Sequence, residues 1–381
     1  MNMGSMTPAR LLWQPSELRY LAAGRVFQGI PALERSVGGR LFASWYTGTD
    51  GEKPGNFVLV EKSDDDGASW TDGWLVIEHE DPNVRCFDEC LWQAPDGQLW
   101  IFWAQSEYGQ FDGRVGVWEI HTANADDERP DFTPPRRIAN GIMLNKPTVL
   151  KNGDWLMPCS LWSTAFAKIA GPGHPELEGE IGANVYIGHD RGETFEHLSC
   201  VEMPNRVFDE HSVIELTDGR LWMLTRTVNG LGQAFSTDGG KTWENIGPSG
   251  HSGPNSRAFI TRLSTGDLLL VNHMNPTNVI SDKAWKRRDN LMAMLSKDDG
   301  QTWIGGLMLD VRPEISYPDG FEAPDGRIYV IYDRERTKAR EILMAVFRPE
   351  DVLEGYMVSP DARMRVLINR ATGVKQETET L

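Results

Sequence analysis

Short runs of alternating apolar and polar residues, each interrupted by a glycine turn, recur along the chain. The clearest unit starts at Phe208, turns at Asp218 and Gly219, and returns from Leu221 to Arg226. An Asp-Gly pair between alternating apolar residues is a strong signal for a β-hairpin. The pattern therefore predicts antiparallel strands along most of the chain.

The same hairpin occurs six times, at glycines separated by 58, 56, 66, 47 and 60 residues. These glycines are Gly39, Gly97, Gly153, Gly219, Gly266 and Gly326. The period suits a four-stranded propeller blade with its loops and does not suit helical repeats. We therefore expect an all-β fold, a six-bladed β-propeller over residues 20–358, with an N-terminal extension at 1–19 and a polar tail at 359–381.

A second motif, Ser/Thr-x-Asp-x-Gly-x-Thr-Trp, occurs at 63–70, 236–243 and 296–303, with a degenerate copy at 188–195. Its aspartate can accept backbone N–H bonds while its glycine takes a positive φ, so the motif predicts a self-satisfied turn between outer strands. Asp65, Asp238 and Asp298 are accordingly interpreted as structural residues and not as metal ligands or catalysts.

Charge and composition exclude some functions. The formal net charge of −17 argues against nucleic-acid binding, which requires a basic surface. No apolar run approaches the roughly 18 residues of a membrane span, so no membrane partner is expected.

The four cysteines lack zinc-site spacing and are expected to be reduced, and no motif predicts a metal or another cofactor. The start shows no signal peptide, which predicts a cytoplasmic protein, or a secreted or periplasmic one if a leader was removed. Oligomeric state is not indicated.

The aspartate motifs and the six hairpins together resemble the sialidase (neuraminidase) superfamily over roughly residues 20–350. The resemblance implies a six-bladed propeller that acts on a carbohydrate at one mouth of its axial channel. It is more specific for the fold than for the substrate, because one fold can carry many functions.

Equivalent positions in different blades should converge on the axis. Nine residues before the hairpin glycines stand Ile30, Asp88, Leu144, Glu210, Arg257 and Tyr317, and one residue later stand Pro31, Glu89, Asn145, His211, Ala258 and Pro318. Burying such polar groups costs several kcal/mol unless they pair or serve a ligand. We expect Asp88, Glu210, His211, Arg257, Arg288 and Tyr317 to face one cavity; a salt-bridge network between blades is the alternative.

The spacing of Tyr317 and Glu210 carries the sharpest part of the resemblance. Tyr317 stands eight residues before Asp325 of the last hairpin, and Glu210 stands nine before Gly219. The resemblance implies that the glutamate draws the proton from the tyrosine hydroxyl, which then attacks the anomeric carbon. A tyrosine with a pKa of about 10 is a poor nucleophile unless a neighbouring base activates it.

Arginine positions agree only partly with the family pattern. Arg288 matches an arginine of the sialidase triad, and a guanidinium can bind a carboxylate through two hydrogen bonds. The first-blade arginine is replaced by Gly29, and residues 228–234 contain no arginine. Arg226, Arg257 and Lys146 could rebuild a basic floor for an acidic sugar, with Asp88 and His273 as further binding residues.

The acid/base residue of sialidases lies in the loop after the first hairpin. Asp50 is the nearest candidate there and Glu52 is the second. His211 and His273 add groups that a sialidase does not require. Each can be a general base near neutral pH or a packed, neutral side chain.

Three functions remain open on this basis. The first is a sialidase-like glycoside hydrolase that cleaves a terminal acidic or deoxy sugar with Tyr317 and Glu210. The second is a lyase on a uronate-containing glycan, in which His211 or Tyr317 removes a proton and arginine stabilises the resulting charge. The third is a non-catalytic carbohydrate-binding propeller whose tryptophans stack on sugars, with candidates at Trp13, Trp92, Trp103, Trp162 and Trp285.

Overall fold

The computed structural model describes residues 4–107, 115–162, 175–274 and 287–375. In these ranges the strands form six antiparallel sheets, arranged in chain order as the blades of a six-bladed β-propeller. The predicted fold class is therefore confirmed. None of the helices in the described part of the chain is long and apolar enough to span a membrane.

The first three blades contain thirteen strands. Blade one consists of β1 (Arg10–Trp13), β2 (Gln28–Arg35), β3 (Leu41–Thr47), β4 (Phe57–Ser63) and β5 (Leu75–Glu78). Blade two consists of β6 (Val84–Gln93), β7 (Leu99–Glu107), β8 (Gly116–Thr122) and β9 (Arg136–Asn140). Blade three consists of β10 (Thr148–Val149), β11 (Trp155–Leu161), β12 (Gly182–His189) and β13 (Thr194–Val201).

The last three blades have four strands each among the described residues. Blade four consists of β14 (Arg206–Glu215), β15 (Leu221–Thr227), β16 (Gly230–Ser236) and β17 (Glu244–Pro248). Blade five consists of β18 (Phe259–Arg262), β19 (Leu268–His273), β20 (Leu291–Ser296) and β21 (Ile304–Asp310). Blade six consists of β22 (Ile315–Glu322), β23 (Ile328–Arg334), β24 (Glu341–Phe347) and β25 (Arg363–Arg370). Short helices cover Gly4–Met6, Leu18–Tyr20, Pro175–Glu180 and α1 (Pro349–Glu354).

The sheets extend past the boundaries expected from the sequence. Strand β1 pairs with β5 at the outer edge of blade one, and β25 pairs with β24 in blade six. β1 lies in the segment expected to be an N-terminal extension, and β25 lies in the segment expected to be a polar tail. β1 has only four residues, and β25 is not preceded by an Asp-Gly hairpin or an aspartate motif that would mark it.

The six hairpin glycines occupy equivalent places, as predicted. Strands are counted here from the innermost strand of each blade, which is β2 in blade one. On that count each glycine lies between the first and second strands, and each has a positive φ, from 80° at Gly326 to 105° at Gly39. The aspartate motifs join the third and fourth strands. In each full copy the aspartate accepts a backbone N–H four residues later, at 2.8 Å for Asp65, 2.9 Å for Asp238 and 2.8 Å for Asp298.

Bulges interrupt four of the first strands where they approach the axis. The register of the β2, β6, β14 and β22 hairpins shifts there, and residues with positive φ lie within the shifts: Ile30 at 59°, Asp88 at 47°, Asp209 at 50° and Tyr317 at 55°. Non-glycine residues rarely adopt this conformation, which costs of order 1–3 kcal/mol. Such strain is often found at functional sites, and these bulges surround the cavity described below.

Candidate active site

A cavity of about 270 Å³ opens between the bulged ends of the first strands. Its lining combines acidic, basic and aromatic side chains: Ile30, Tyr46, Glu52, Arg85, Phe87, Asp88, Trp162, Phe208, Glu210, Arg226, Arg288, Tyr317 and Arg336. Of the six residues expected to share one cavity, the structure brings together Asp88, Glu210, Arg288 and Tyr317. His211 and Arg257 are not part of this lining.

Tyr317, Glu210 and Arg226 form a hydrogen-bonded group at the cavity wall. The Tyr317 hydroxyl donates to Glu210 Oε1 at 2.9 Å. Arg226 Nη1 donates to the same carboxylate oxygen at 2.8 Å and to the Tyr317 oxygen at 2.7 Å. A carboxylate, a hydroxyl and a cation are therefore in direct contact, an arrangement that can activate a weak nucleophile.

The electrostatics of this group keep the tyrosine neutral. Burial raises the pKa of Tyr317 to about 12, although Arg226 acts in the opposite direction. Burial would lower the pKa of Arg226, but the charges of Glu210 and Tyr317 outweigh it, so that pKa is raised. Tyr317 is thus a phenol at neutral pH, and the Glu210 carboxylate is the group that accepts its hydrogen bond.

Asn255 joins two arginines of the cavity. Its side-chain oxygen accepts from Arg226 Nε at 2.5 Å, and its carbonyl oxygen accepts from Arg288 Nη2 at 2.9 Å. Burial lowers the pKa of Arg288, and the nearby charges of Arg226 and Arg336 act in the same direction. Among the described residues Arg288 donates this one hydrogen bond, so most of its N–H groups remain for a ligand.

Arg336 and Arg85 line the cavity and were not predicted. Arg336 lies in the loop after β23, where no repeat position marks it. Arg85 belongs to β6, and its Nε donates to Asn56 Oδ1 at 3.2 Å. The guanidinium of Arg85 lies 4.0 Å from the centroid of the Phe87 ring. Only its place three residues before Asp88 could have suggested that Arg85 faces the axis.

The acid/base candidates lie in different surroundings. Asp50 does not line the cavity; its Oδ1 lies 2.5 Å from Lys53 Nζ on an exposed part of the loop. Glu52, the second candidate, lines the cavity mouth and accepts from Arg336 Nη1 at 3.0 Å. The expectation that Asp50 faces the site is therefore not met, because the loop directs Glu52 inward instead.

The carboxyl groups of Glu52 and Asp88 differ in charge. Burial would raise the pKa of Glu52, but Arg336 and Arg85 outweigh it and hold that pKa below its usual value. Burial raises the pKa of Asp88 to about 8, and the charges of Glu52 and Glu210 add to the increase. Asp88 therefore carries a proton at neutral pH and can donate a hydrogen bond to a sugar oxygen.

Arg257 and Lys146, predicted to bind substrate, are instead held by groups at the axis. Arg257 Nη2 donates to the carbonyl oxygen of Pro318 at 3.0 Å, and its Nη1 donates to that of Leu144. Lys146 Nζ donates to the carbonyl oxygen of Leu33 at 2.8 Å and lies 3.0 Å from Glu34 Oε2. Both cations connect different blades, since the ends of the first strands leave backbone carbonyl groups that need donors.

The two predicted histidines are buried outside the cavity lining. His211 Nδ1 contacts the carbonyl oxygen of Asp209 at 2.9 Å, and His273 Nδ1 contacts that of Asp289 at 3.0 Å. Burial lowers the pKa of each imidazole to about 4. These are packed, neutral histidines, the second of the two interpretations offered for them.

The candidate tryptophans divide between core and site. Trp92 and Trp103 are buried among the blades. Trp13 packs edge-on against Trp74, with the two ring centroids 5.2 Å apart. Trp162 lines the cavity, while Trp285 lies outside the described residues. Within the described ranges, no group of three or more His, Cys, Asp or Glu side chains is arranged to hold a metal ion.

Comparison with known proteins places the chain in a family and a fold. The family profile described as "BNR repeat-like domain" matches residues 39–330. No curated protein matches the chain. Among solved structures, the Hadza microbial sialidase Hz136 aligns with a TM-score of 0.62 and 17% identity, over 86% of this chain and 66% of its own. The chain thus spans just under two thirds of that sialidase.

Two further structures show that the fold is used by more than one kind of glycosidase. The leech intramolecular trans-sialidase aligns with a TM-score of 0.64 and 13% identity, over 91% of this chain and 71% of its own. The α-L-arabinanase of Penicillium chrysogenum aligns with a TM-score of 0.57 and 12% identity, over 91% of this chain and 99% of its own. At these identities the likeness concerns the fold, a glycosidase-like propeller.

Proposed function

The chain belongs to the BNR repeat-like domain family, and we propose that it is a sialidase-like glycoside hydrolase that removes a terminal acidic sugar from a glycan or oligosaccharide. The observation that carries the proposal is the hydrogen-bonded group of Tyr317, Glu210 and Arg226 in the wall of the cavity. A tyrosine nucleophile is a known exception to the paired carboxylates of most glycosidases.

In the first step, the Tyr317 oxygen forms a bond to the anomeric carbon while the bond from that carbon to the leaving oxygen breaks. Glu210 Oε1 receives the phenol proton across the 2.9 Å hydrogen bond. Arg226 Nη1, 2.7 Å from the tyrosine oxygen, stabilises the negative charge that develops there. In the second step water attacks the anomeric carbon, and the tyrosine oxygen regains its proton from Glu210.

The leaving oxygen requires a proton, and we assign this role to Glu52. The rest of a glycan must leave the cavity toward solvent, and Glu52 lies at the mouth with 39% of its side chain exposed. Its contact with Arg336 keeps it ionised in the free protein. A substrate carboxylate that also binds Arg336 would weaken this contact and raise the pKa of Glu52, so that its carboxyl group can carry a proton. Glu52 would take up a proton from solvent, donate it to the leaving oxygen in the first step and, then ionised, accept a proton of the attacking water in the second step.

An acidic sugar is favoured by the charge of the cavity. Arg85, Arg226, Arg288 and Arg336 line it together with Glu52, Asp88 and Glu210, and Asp88 is protonated at neutral pH. Four arginines therefore face three carboxyl groups, one of which is neutral. Buried charge without a partner is costly, so a bound carboxylate would stabilise this arrangement.

The lyase and lectin alternatives find less support. A lyase in which His211 is the base would need this imidazole at the cavity, but it is buried elsewhere with a pKa of about 4. A carbohydrate-binding protein would need no base in contact with a tyrosine hydroxyl. A binding protein does not account for the contacts of Tyr317, whereas a lyase with Tyr317 as its base would use the same contacts and is distinguished from the hydrolase by its product.

The proposal can be tested by incubating the protein with a mixture of acidic oligosaccharides and analysing the products by mass spectrometry. A hydrolase adds the mass of water across the cleaved bond and releases a monosaccharide. A lyase yields a product that is lighter by one water than the corresponding hydrolysis product and that absorbs ultraviolet light. Release of no product from any oligosaccharide would contradict the proposal and favour a binding function.

A further inference from the structure

The loop after β23 crosses from the sixth blade onto the first. The backbone N–H of Gln28 donates to the carbonyl oxygen of Arg336 at 3.2 Å, and the Gln28 side chain donates to the carbonyl oxygen of Arg340 at 2.8 Å. These bonds fix the loop on β2, the strand nearest the axis in blade one. As a result, Arg336 lies beside Gly29.

Gly29 leaves the space that the Arg336 side chain fills. A Cβ atom at position 29 would lie 2.6 Å from both Cγ and Cδ of Arg336, and 2.8 Å from its Nε. Such contacts are much closer than packed side chains allow, so a larger residue at position 29 would displace the stem of Arg336. Position 29 is also the one at which the sequence lacks the expected first-blade arginine.

Several contacts hold the Arg336 guanidinium in the cavity. Its Nε donates to Asp333 Oδ2 at 2.7 Å, and its Nη2 donates to Ser316 Oγ at 3.2 Å. The buried Asp333 Oδ2 also accepts the backbone N–H of Ile30 at 2.8 Å. One carboxylate thus ties Arg336 to the bulge of β2, so the guanidinium is positioned before any ligand arrives.

Three guanidinium groups of the cavity surround the Tyr317 ring. Their central carbons lie 6.0 Å from the ring centroid for Arg226, 5.3 Å for Arg288 and 4.6 Å for Arg336. They come from the fourth, fifth and sixth blades. Each guanidinium has five N–H donors, and their contacts with described residues leave some of these without an acceptor.

We propose that Arg336 is a specificity-determining residue, which supplies from the sixth blade the guanidinium that position 29 lacks and binds the sugar carboxylate together with Arg226 and Arg288. The inference rests on the proposed function, since it takes the cavity as the sugar site. Gly29 is then part of the same device, because only a residue without a side chain leaves room for the Arg336 stem.

The test is a binding experiment, which does not depend on turnover. N-acetylneuraminic acid, glucuronic acid and galacturonic acid are titrated calorimetrically, each as the free carboxylate and as the methyl ester. The proteins are the wild type, Arg336→Met, Arg336→Lys, and the double variant Gly29→Arg with Arg336→Gly. Lys338→Met is the matched control, because it removes an exposed cation from the same loop, paired with Glu314 at 2.9 Å.

The wild type is expected to bind the carboxylate of at least one sugar more tightly than its ester. Arg336→Met should reduce this preference about ten- to hundredfold, the usual range for a lost hydrogen bond to a charged group. Arg336→Lys should give an intermediate preference for the carboxylate over the ester, and Lys338→Met should keep the preference of the wild type. The double variant should recover part of the preference that Arg336→Met loses. If Arg336→Met does not fold, Arg336→Lys decides the question.

Equal affinity of the wild type for acid and ester across the whole panel would overturn the proposal. So would an undiminished preference in a folded Arg336→Met protein, or in Arg336→Lys if the former does not fold. The proposed function fails separately. A Tyr317→Phe protein with full activity would remove the catalytic roles while the loss of preference in Arg336→Met would still stand.

Discussion

The Tyr317 hydroxyl donates a 2.9 Å hydrogen bond to Glu210 Oε1 although the two residues are 107 positions apart in the chain. One lies in a bulge of β22 and the other in β14, on different blades. Burial raises the pKa of Tyr317 to about 12, so the hydroxyl keeps its proton at neutral pH unless a neighbouring base accepts it. Glu210 is the carboxylate placed to do so. The proposed activation of Tyr317 depends on this contact.

Replacing Glu210 with glutamine should keep the shape of the group and remove its base. We expect kcat to fall by about a hundred- to ten-thousandfold, the range for loss of general acid–base catalysis. The thermal midpoint should also fall, because Arg226 loses the carboxylate that its Nη1 contacts at 2.8 Å. Steady-state kinetics and thermal unfolding measure the two effects, and an active Glu210→Gln enzyme would exclude Glu210 as the base.

The choice between Glu52 and Asp50 can be made with a matched pair of variants. Glu52→Gln should lower kcat on a natural glycoside by about a hundredfold or more, because the leaving oxygen loses its acid. The loss should be smaller on a nitrophenyl glycoside, whose leaving group needs no proton. Asp50→Asn should leave both rates near those of the wild type, since Asp50 lies outside the cavity lining. The reverse order of damage would restore Asp50 as the acid.

His211→Ala tests the lyase alternative. The side chain is buried, so we expect a lower thermal midpoint from the cavity left behind. At a temperature where the variant is folded, kcat should stay near that of the wild type. Ultraviolet absorbance should show no new double bond in the product of either protein. Loss of turnover in folded His211→Ala, together with an ultraviolet-absorbing product of the wild type, would support the lyase instead.

The pKa of Asp88 predicts a dependence of stability on pH. Because this pKa is raised to about 8 in the folded protein, the folded state holds a proton that the unfolded state loses near pH 4. The contribution to stability is therefore complete below about pH 4 and is lost as the pH rises toward 8. Asp88→Asn has no such proton, so its thermal midpoint should fall less than that of the wild type between about pH 5 and pH 9. Parallel loss in both proteins would show that Asp88 is ionised.

The repeat made much of the fold and part of the site predictable. A hairpin glycine must have a positive φ, so its position marks the same turn in every blade, and counting back from it reaches Glu210 and Tyr317. The edge strands β1 and β25 carried no such mark. β1 is only four residues long, and no Asp-Gly hairpin or aspartate motif precedes β25.

The rest of the site could not be read from the repeat, for physical reasons. Arg336 enters from a loop of the neighbouring blade and reaches the cavity only because Gly29 has no side chain. Arg257 and Lys146 stand near the axis, as predicted, but backbone carbonyl groups of other blades hold them. Counting along the sequence gives a residue's place on the axis, while its partners depend on which carbonyl groups and loops converge there.

The most direct test of the central claim is the turnover of Tyr317→Phe on the acidic oligosaccharide that the wild type cleaves. The substitution keeps the ring among the arginines and removes only the hydroxyl, so the thermal midpoint should stay close to that of the wild type. We predict a kcat lower by about a thousandfold or more, as expected when a nucleophile is removed. Full activity of a folded Tyr317→Phe protein would contradict the account.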